Sequence, residues 1–573
     1  MDPLLYVMNK SKKQIKSNIE YLRKLFIMPD SPDKFVEFGH ELLEMIHDFF
    51  QEKGGIHSSV TLPQLSKIFD QITIPDNPLL IKDVLSEIRT KVISHSVKVG
   101  NPYYIGHMTS AIPYFMILLE MIIAALNQNQ VKIETAKASS FVEKELVAWL
   151  HQLIFQRKES FYQKHIQNPR VALGNATSDG TLANLTAIMV AREKAFPPDG
   201  DFPGFRMAGE ARALRHYGYE RGVIFISKRG HYSVKKAANI LGIGEDNVIP
   251  IPVDCNNRMD IKSLKRRVKT ITGLTGKKRT KIIAIVGIAG TTETGNVDNL
   301  QAIGEVARSV GAHFHVDACW GGSALLVDEY RHIFQGIEKA DSVSVDSHKL
   351  LFCPMSMGLI LFRSEKDLNL IRHTSQYVIR RHSVDIGRFT IEGSRPFACL
   401  KPWASLKIIG REGYGLLFQH ARESTEYLKT ILDHCGNFEV LNTPELFILA
   451  YRFIPQTVRK QLSVWKTIAA SSKNKVKVHE AIQRIKRINR LINSLNVSLH
   501  RDLRKDDTTF VSRTTLESTL YRPQSIVVLR AVLINPLTDQ PVLDEIVDTQ
   551  NRLGTDIWKS YEPSYKRICG DMT

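Results

Sequence analysis

Two short stretches decide the fold: Ala312-His313-Phe314-His315-Val316-Asp317-Ala318 and Ala340-Asp341-Ser342-Val343-Ser344-Val345-Asp346-Ser347-His348-Lys349. Both are rich in β-branched or alternating apolar residues and end in polar groups, which predicts two buried strands with their chemistry at the carboxyl ends. Asp317 and Lys349 are 32 residues apart, which leaves room for a helical crossover between parallel neighbouring strands.

A carboxylate and a lysine in this arrangement suit pyridoxal phosphate. That cofactor needs a lysine for its Schiff base and an acidic group that keeps its pyridine nitrogen protonated, so that the ring accepts electrons from a breaking bond. For an isolated pair, the more ordinary interpretation is that Asp317 caps a turn and Lys349 is a solvated loop residue. Further residues must therefore support the site.

Length and composition predict a large α/β domain with smaller appendages. The chain has 573 residues, of which 43% are hydrophobic, so it can bury a sizeable core. The longest apolar run, Tyr114 to Leu119, is stopped by Glu120, which is too short for a membrane span. The N-terminus shows no leader pattern, so we expect a soluble cytoplasmic protein.

Charge and cysteine content exclude several functional classes. The formal net charge is +18, but the basic residues are dispersed and accompany no nucleic-acid motif, so no nucleic-acid partner is expected. The cysteines are widely spaced and form no CxxC pair, which predicts neither a metal site nor a disulfide framework. They are Cys255, Cys319, Cys353, Cys399, Cys435 and Cys569.

Three further predicted strands also end in polar turns. Val171 onward leads into Gly180 and Thr181 at a helix start, where backbone N–H groups can bind a phosphate. The strand before His231 and the strand before Thr292 end in the same way. Each turn could be a plain helix cap and His231 a surface histidine, but convergence at one sheet edge is typical of a ligand site.

The sequence resembles the group II pyridoxal-phosphate decarboxylases, which include glutamate, aspartate and aromatic amino-acid decarboxylases. The resemblance runs from about residue 100 to the C-terminus. It rests on four motifs: Thr177-Ser178-Asp179-Gly180-Thr181, His315-Val316-Asp317-Ala318, Asp346-Ser347-His348-Lys349, and Leu529-Arg530 with Asn535-Pro536. It implies the fold type I architecture of pyridoxal-phosphate transferases, with a mostly parallel central sheet, and a homodimer.

The resemblance also implies residue roles. Lys349 is expected to form the Schiff base and Asp317 to pair with the pyridinium nitrogen. His231 is expected to stack on one face of the cofactor ring, with Ala318 against the other face. The remaining residues expected near the cofactor are Ser110, Gly180, Thr181 and His348 on the phosphate side, and Thr292 near the ring. The family usually has glycine where this chain has Asp179, and we expect that carboxylate to point away from the phosphate.

A narrower likeness favours aspartate as the substrate. Tyr377-Val378-Ile379-Arg380-Arg381, Glu392-Gly393-Ser394-Arg395-Pro396, Thr509 to Thr514, and Asp rather than Asn at Asp346 look like bacterial pyridoxal-dependent aspartate 1-decarboxylases. Tyr377 is the candidate acid for protonating Cα, with a buried core tyrosine as the alternative. Arg530 and His107 are expected to contact the substrate. Arg395 and Arg513 are further candidate anchors, which could instead form structural ion pairs.

The expected organisation is a helical N-terminal segment (1–100), a large cofactor-binding domain (101–405) and a small C-terminal α+β domain (406–573). The leading function is decarboxylation of L-aspartate to β-alanine. Glutamate decarboxylation and another pyridoxal-dependent decarboxylase or lyase activity, such as carbon–sulfur cleavage, stay open. A non-enzymatic basic binding protein on a degenerate fold is a third class, which the intact Lys349 and Asp317 pair disfavours.

Overall fold

The computed structural model describes residues 20, 22–52, 54–58, 60–76, 78–375, 383–517 and 519–570. The chain divides into two compact units, Met1–Lys98 and Val99–Thr573. In the described part of the chain, no helix is both long and apolar enough to cross a membrane.

The first unit is helical, as the sequence predicts. Its helices are α1 (Phe35–Gln51), α2 (Leu62–Ile68) and α3 (Ile81–Glu87), and a π-helical turn, Ile88–Val92, continues the last of these. A capping box at Thr61 and Gln64 fixes the start of α2. Much of the apolar surface of α1 is exposed within this unit, including Phe35 and Phe50.

The second unit is built on a mixed sheet that, within the described residues, has seven strands in the order β1-β7-β6-β5-β4-β2-β3. The strands are β1 (Gly174–Thr177), β2 (Arg221–Ser227), β3 (Val248–Ile251), β4 (Thr280–Ile288), β5 (His313–Asp317), β6 (Ser342–Asp346) and β7 (Gly358–Phe362). All pairs are parallel except the two that involve β7. Because β7 runs against both neighbours, β1 points the same way as β6.

The stretches Ala312 to Ala318 and Ala340 to Lys349 contain β5 and β6. Asp317 is paired with Ser344, so the strands are parallel neighbours, as predicted. Every residue of both strands is buried, although polar residues alternate with apolar ones along each strand. The crossover between them is not an α-helix but three short 3₁₀ segments, Gly322–Leu326, Asp328–Phe334 and Ile337–Lys339.

Helices cover the faces of this sheet and connect its strands. They are α4 (Tyr114–Leu126), α5 (Ile133–Ala136), α6 (Ala138–Phe155), α7 (Glu159–His165), α8 (Gly180–Ala195), α9 (Phe205–Ala208), α10 (Glu210–Tyr217), α11 (Ser233–Ile240), α12 (Ile261–Thr272), α13 (Leu300–Ser309) and α14 (Leu400–Ile408). Small apolar residues of α8, such as Ala183 and Ala187, are fully buried against the sheet. The fold is therefore the α/β architecture expected from the sequence.

The C-terminal part of the second unit contains another sheet, antiparallel and four-stranded within the described residues, in the order β10-β11-β9-β8. Its strands are β8 (Phe438–Val440), β9 (Ile448–Phe453), β10 (Ser512–Leu516) and β11 (Ile526–Val532), and its helices are α15 (Gly410–Cys435), α16 (Gln456–Ser471), α17 (Lys475–Asp506) and α18 (Gln540–Gly570). The predicted boundary at residue 405 falls within α14, and a separate C-terminal domain stays a prediction.

Candidate active site

Five chain segments bring polar residues to one edge of the large sheet. Strands β1, β2, β4, β5 and β6 all end at this edge, because β1 points the same way as the parallel strands. The residues that follow or end them are Gly180, His231, Thr292, Asp317 and Lys349, in chain order. Their convergence has the topology of a ligand site in an open α/β sheet.

Lys349 is held by a buried carboxylate one turn before it. Its Nζ lies 2.9 Å from Asp346 Oδ2. Burial alone lowers the pKa of Lys349, but the charges of Asp346 and Asp317 outweigh burial and raise it above its usual value. In this arrangement the amine is a protonated ammonium, so it must lose a proton before it can attack a carbonyl carbon.

Asp317 ends β5 as a buried, hydrogen-bonded carboxylate. Its Oδ2 accepts from Asn184 Nδ2 at 2.9 Å, and its Oδ1 accepts from the backbone N–H of Cys319 at 3.2 Å. Burial raises the pKa of Asp317, but the charge of Lys349, the neighbouring His315 and the hydrogen bond from Cys319 together outweigh burial and lower it. Asp317 can therefore hold a negative charge where a protonated ring nitrogen needs one.

His231 follows β2 and offers a neutral imidazole to the same edge. Its Nδ1 accepts from the backbone N–H of Ser233 at 3.3 Å, and its ring centroid lies 4.1 Å from that of Tyr232. Burial lowers the pKa of His231, and the charge of Asp317 opposes this only in part. A neutral ring in this position can lie against an aromatic ligand.

The residues around the start of α8 fit a phosphate. A Cβ atom at Gly180 would lie 2.4 Å from Cys319 Sγ and 2.8 Å from Asp346 Oδ2, so glycine is needed there. Asp179 caps this helix, because its Oδ1 accepts from Leu182 N at 3.0 Å. Ser110 Oγ is buried and, among the described residues, has no hydrogen-bond partner. An unpaired hydroxyl of this kind can donate to a phosphate oxygen.

Arg530 presents an unsatisfied guanidinium from β11. Its Nη1 donates to Gly106 O at 3.2 Å and to Ser512 Oγ at 2.9 Å. Its Nε and Nη2 are buried and lack partners in the described ranges. Burial lowers the pKa of Arg530 to about 10, which still leaves it protonated near neutral pH. Two donors of a planar cation are thus available to a carboxylate.

His107 links Arg530 electrostatically to the edge of the sheet. Its Nδ1 lies 2.8 Å from Thr109 Oγ1. Partial burial lowers the pKa of His107, and the charges of Arg530 and Lys349 lower it further. His107 is therefore within electrostatic reach of both cations.

The other predicted site residues have varied environments. Arg395 is buried and donates from Nη1 to Glu143 Oε1 at 3.0 Å and to Ala176 O at 2.8 Å, which is the ion-pair alternative named above. Thr292 is exposed. Tyr377 lies outside the described residues. The rest are positioned as follows: Arg513 is exposed, Thr181 is half-buried, Ala318 is buried with its N–H bonded to Ser344 O, and His348 Nδ1 lies 3.2 Å from Met357 O.

Sequence reasoning missed the polar residues behind Asp317. Asn184 Oδ1 lies 2.9 Å from His315 Nε2 and 2.8 Å from Ser344 Oγ, all three side chains being buried. The signal was present in the alternation of β5, because His313, His315 and Asp317 occupy every second position and share one face of the strand. An apolar face would be expected there, so three polar residues indicate a buried network.

Comparisons with known proteins give one consistent result. A family model described as "Pyridoxal-dependent decarboxylase conserved domain" matches residues 63–454. Aspartate 1-decarboxylase of Aliivibrio fischeri is 37% identical over 561 residues, covering 98% of this chain and 99% of that protein. L-2,4-diaminobutyrate decarboxylase of Rhizobium meliloti is 26% identical over 420 residues, covering 72% of this chain and 78% of that protein.

A solved structure shows the same fold. The crystal structure of Oryza sativa TDC with PLP and tryptamine superposes with a TM-score of 0.74 at 18% sequence identity, covering 93% of this chain and 100% of that chain. At this identity the likeness concerns the fold alone.

Proposed function

This chain belongs to the family of pyridoxal-dependent decarboxylases, and from that premise we propose that its substrate is L-aspartate, which it converts to β-alanine and carbon dioxide. Amino-acid decarboxylation with pyridoxal phosphate is the activity of the family. The choice of aspartate is supported by the 37% identity, over nearly the whole chain, to a protein named aspartate 1-decarboxylase.

The observation that carries the choice of an acidic substrate is the unsatisfied guanidinium of Arg530. A buried cation with two unpaired donors is costly unless a ligand completes its hydrogen bonds. The side-chain carboxylate of aspartate matches the planar fork in charge and geometry. We propose that Arg530 binds this carboxylate and that His107 contacts the substrate beside it. An uncharged or cationic side chain would leave Arg530 unpaired.

We propose the cofactor roles that the site geometry supports. Lys349 binds pyridoxal phosphate covalently, Asp317 pairs with its ring nitrogen, and His231 and Ala318 cover the two faces of its ring. The proposed contacts to the phosphate and the ring substituents come from Ser110, Gly180, Thr181, His348 and Thr292. The glycine at the helix start and the unpaired Ser110 hydroxyl support the phosphate side.

The chemistry follows from where the chain places its charges. Bound pyridoxal phosphate supplies an aromatic ring that accepts the electron pair of the breaking Cα–carboxylate bond. Asp317 stabilises positive charge at the ring nitrogen, which makes that acceptance favourable. Asp346, 2.9 Å from Lys349 Nζ, is placed to exchange a proton with the amine. Arg530 fixes the substrate's far end, so that the α-carboxylate can be oriented for cleavage.

The acid that protonates Cα is proposed to be Tyr377. It lies in the segment that resembles aspartate 1-decarboxylases, outside the described residues. A phenol suits the role because it can donate one proton and be reprotonated from solvent.

Glutamate is the main competing substrate, because it has the same charges with one more methylene. A methylene changes binding by about 1–3 kcal/mol through the depth of the pocket rather than through any motif. The decisive experiment incubates the purified, cofactor-loaded protein separately with L-aspartate, L-glutamate and L-cysteine sulfinate. We expect β-alanine and carbon dioxide from aspartate with the highest kcat/KM. A higher kcat/KM for glutamate, or no β-alanine, would reject aspartate as the substrate.

We further propose a cytoplasmic homodimer. The helix α4 exposes a row of large apolar side chains in the single chain, namely Tyr114, Leu118, Met121, Ile122 and Leu126. An apolar face of this kind is typical of a subunit interface. The family resemblance supports the same assembly.

A further inference from the structure

A buried series of polar side chains extends from Asp317 into the sheet. Asn184, on α8, donates from Nδ2 to Asp317 Oδ2 at 2.9 Å, and its Oδ1 lies 2.9 Å from His315 Nε2. Ser344 Oγ donates to the same Asn184 oxygen at 2.8 Å. On the far side of the imidazole, His315 Nδ1 lies 2.9 Å from Ser342 Oγ. All five residues are buried, so water does not compete for these contacts.

The direction of each hydrogen bond follows from Asp317. An ionised carboxylate only accepts, so the amide nitrogen of Asn184 must face it and the amide oxygen must face His315. Nε2 of His315 therefore carries a proton. Burial lowers the pKa of His315 to about 4, so its ring is neutral near pH 7 and its Nδ1 accepts from the Ser342 hydroxyl. The contact of Nδ1 with the Ser342 carbonyl oxygen is longer, at 3.2 Å.

The series ends at His313. The single hydroxyl proton of Ser342 goes to His315, so Ser342 Oγ accepts from His313 Nε2, which lies 2.8 Å away. His313 Nδ1 is then the unprotonated nitrogen, and it is buried with no partner among the described residues. Burial lowers the pKa of His313 to about 3, so this ring is also neutral. Each donor along the series therefore points toward Asp317.

We propose that Asn184 and His315 are positioning residues that hold Asp317 ionised and oriented toward the ring nitrogen of the cofactor. This inference rests on the role proposed above for Asp317. Donors directed at a carboxylate favour its charged form, and a low-polarity interior strengthens each of them. His315 acts through Asn184, because its Nε2–H, together with the Ser344 hydroxyl, holds the amide oxygen and so keeps the amide nitrogen directed at Asp317.

The charged groups around the series are few, so its effect on Asp317 can be separated. Outside the series, Lys349, which follows β6, and His231, which follows β2, act on the charge of Asp317, and both are retained in every variant. His315 is influenced by Asp317 and His313. The groups that act on His313 lie at the opposite end of the series: Asp341, Lys194 and Arg363.

The test measures the affinity of the apoprotein for pyridoxal phosphate from about pH 7 down to about pH 3, because the pKa of Asp317 lies below its usual value, and circular dichroism at each pH verifies that the protein is folded. His315→Leu removes the donor to Asn184, which raises the pKa of Asp317 and moves the acidic midpoint of the affinity profile upward. We expect a shift of about one pH unit, which is a tenfold change in a proton equilibrium. Asn184→Leu removes the direct donor and should shift the midpoint at least as far.

A conservative variant and a matched control distinguish positioning from packing. His315→Gln keeps an N–H close to the position of Nε2 and should recover more than half of the shift. His151 is likewise buried and neutral, with contacts to Tyr162 Oη at 2.8 Å and Phe362 O at 3.0 Å, but it lies on α6 and touches none of the series. His151→Leu should lower stability and leave the midpoint unchanged. If His315→Leu does not fold, His315→Asn, whose amide is too short to reach Asn184, replaces it.

Equal midpoints in wild type, the His315 variant and Asn184→Leu would overturn the proposal. A His315→Gln variant that shifts as far as His315→Leu would also overturn it, since lost packing would then explain both. Titration of the cofactor phosphate is common to all variants and cancels in the comparison. No amino acid is added, so a substrate other than aspartate would leave this result unaffected.

Discussion

Arg530 is a buried cation whose hydrogen-bond donors are only partly satisfied. Its guanidinium is 7% exposed, yet Nε and Nη2 find no partner in the part of the chain that the structure describes. Its pKa is lowered to about 10 because burial disfavours the cation, an effect that the charge of Glu293 only partly opposes. Binding a carboxylate would satisfy both donors and relieve this cost, so the residue's environment itself favours an acidic substrate.

Replacing Arg530 should therefore affect substrate recognition more than folding. Arg530→Met is expected to lower kcat/KM for aspartate by about 30- to 1000-fold, the roughly 2–4 kcal/mol that a lost buried charge pair costs. Steady-state kinetics measures this change. Arg530→Lys should recover only part, because an ammonium cannot form the bidentate contact. The exposed Arg501, which is not a candidate substrate anchor, is replaced by Met as the control, and an equal loss in that variant would contradict the role of Arg530.

At the scale of elements, the helix α6 is attached to the large sheet by two buried polar contacts. Glu143 Oε1 accepts from the backbone N–H of Ala176 in β1 at 3.1 Å and from Arg395 at 3.0 Å. His151 contacts the carbonyl oxygen of Phe362 in β7. Both contacts are buried in a low-polarity environment. Removing one partner therefore leaves the polar atoms of the other without a hydrogen bond, because water does not reach them.

The Glu143–Arg395 ion pair should contribute measurably to the free energy of unfolding. Arg395→Met leaves Glu143 buried without its cation, and we expect the free energy of unfolding to fall by about 3–5 kcal/mol. The double variant Arg395→Met with Glu143→Leu should lose less than the single variant, because no buried charge remains. Urea unfolding followed by circular dichroism measures both. A double variant as unstable as the sum of the two single variants would show that the pair is not coupled.

His151 should make the fold sensitive to acid. Burial lowers the pKa of His151 from 6.5 to about 4, so its contribution to stability is complete above pH 6.5 and is lost as the pH falls through 4. Over that window the wild-type protein should lose up to about 3 kcal/mol more than His151→Leu does. Unfolding free energies measured at pH 7, 5.5 and 4.5 provide the comparison. Parallel pH profiles for the two proteins would contradict this prediction.

For the whole molecule, the exposed face of α4 indicates association with a second copy. Tyr114 is 79% exposed, and Leu118 and Ile122 are 43% and 48% exposed. Light scattering after gel filtration should give about twice the chain mass of 65.0 kDa. The double variant Leu118→Arg with Ile122→Arg should shift the mass toward a monomer, because two charges would be buried in the interface.

A control for that experiment is Val476→Arg. Val476 is 65% exposed at the start of α17, outside the apolar face of α4. It should leave the mass unchanged. A wild-type monomer, or an α4 variant that keeps the doubled mass, would remove α4 from the interface.

The fold was largely predictable because its signals are local. The β-branched runs predicted β5 and β6 and their parallel pairing, and the polar residues after five strands predicted the edge at which they converge. The crossover between β5 and β6 was not predictable in detail, since its short 3₁₀ segments lack the periodicity of an α-helix. The sequence favoured Arg530 as the substrate anchor and left open whether Arg395 was a second anchor or part of an ion pair, because only the neighbours in the folded chain distinguish these roles.

By itself, the sequence determined the α/β class, the order along the chain of the polar residues that follow the strands, and the family resemblance. Alternation and motif spacing are properties of neighbouring residues, so they can be read without the fold. Only the tertiary structure decided that Arg395 donates to Glu143 and that Arg530 keeps two unpaired donors. It also decided that Asn184 donates to Asp317 and contacts His315. These contacts join residues up to hundreds of positions apart. Their burial, which sets both charge state and hydrogen-bond direction, exists only after the chain has packed.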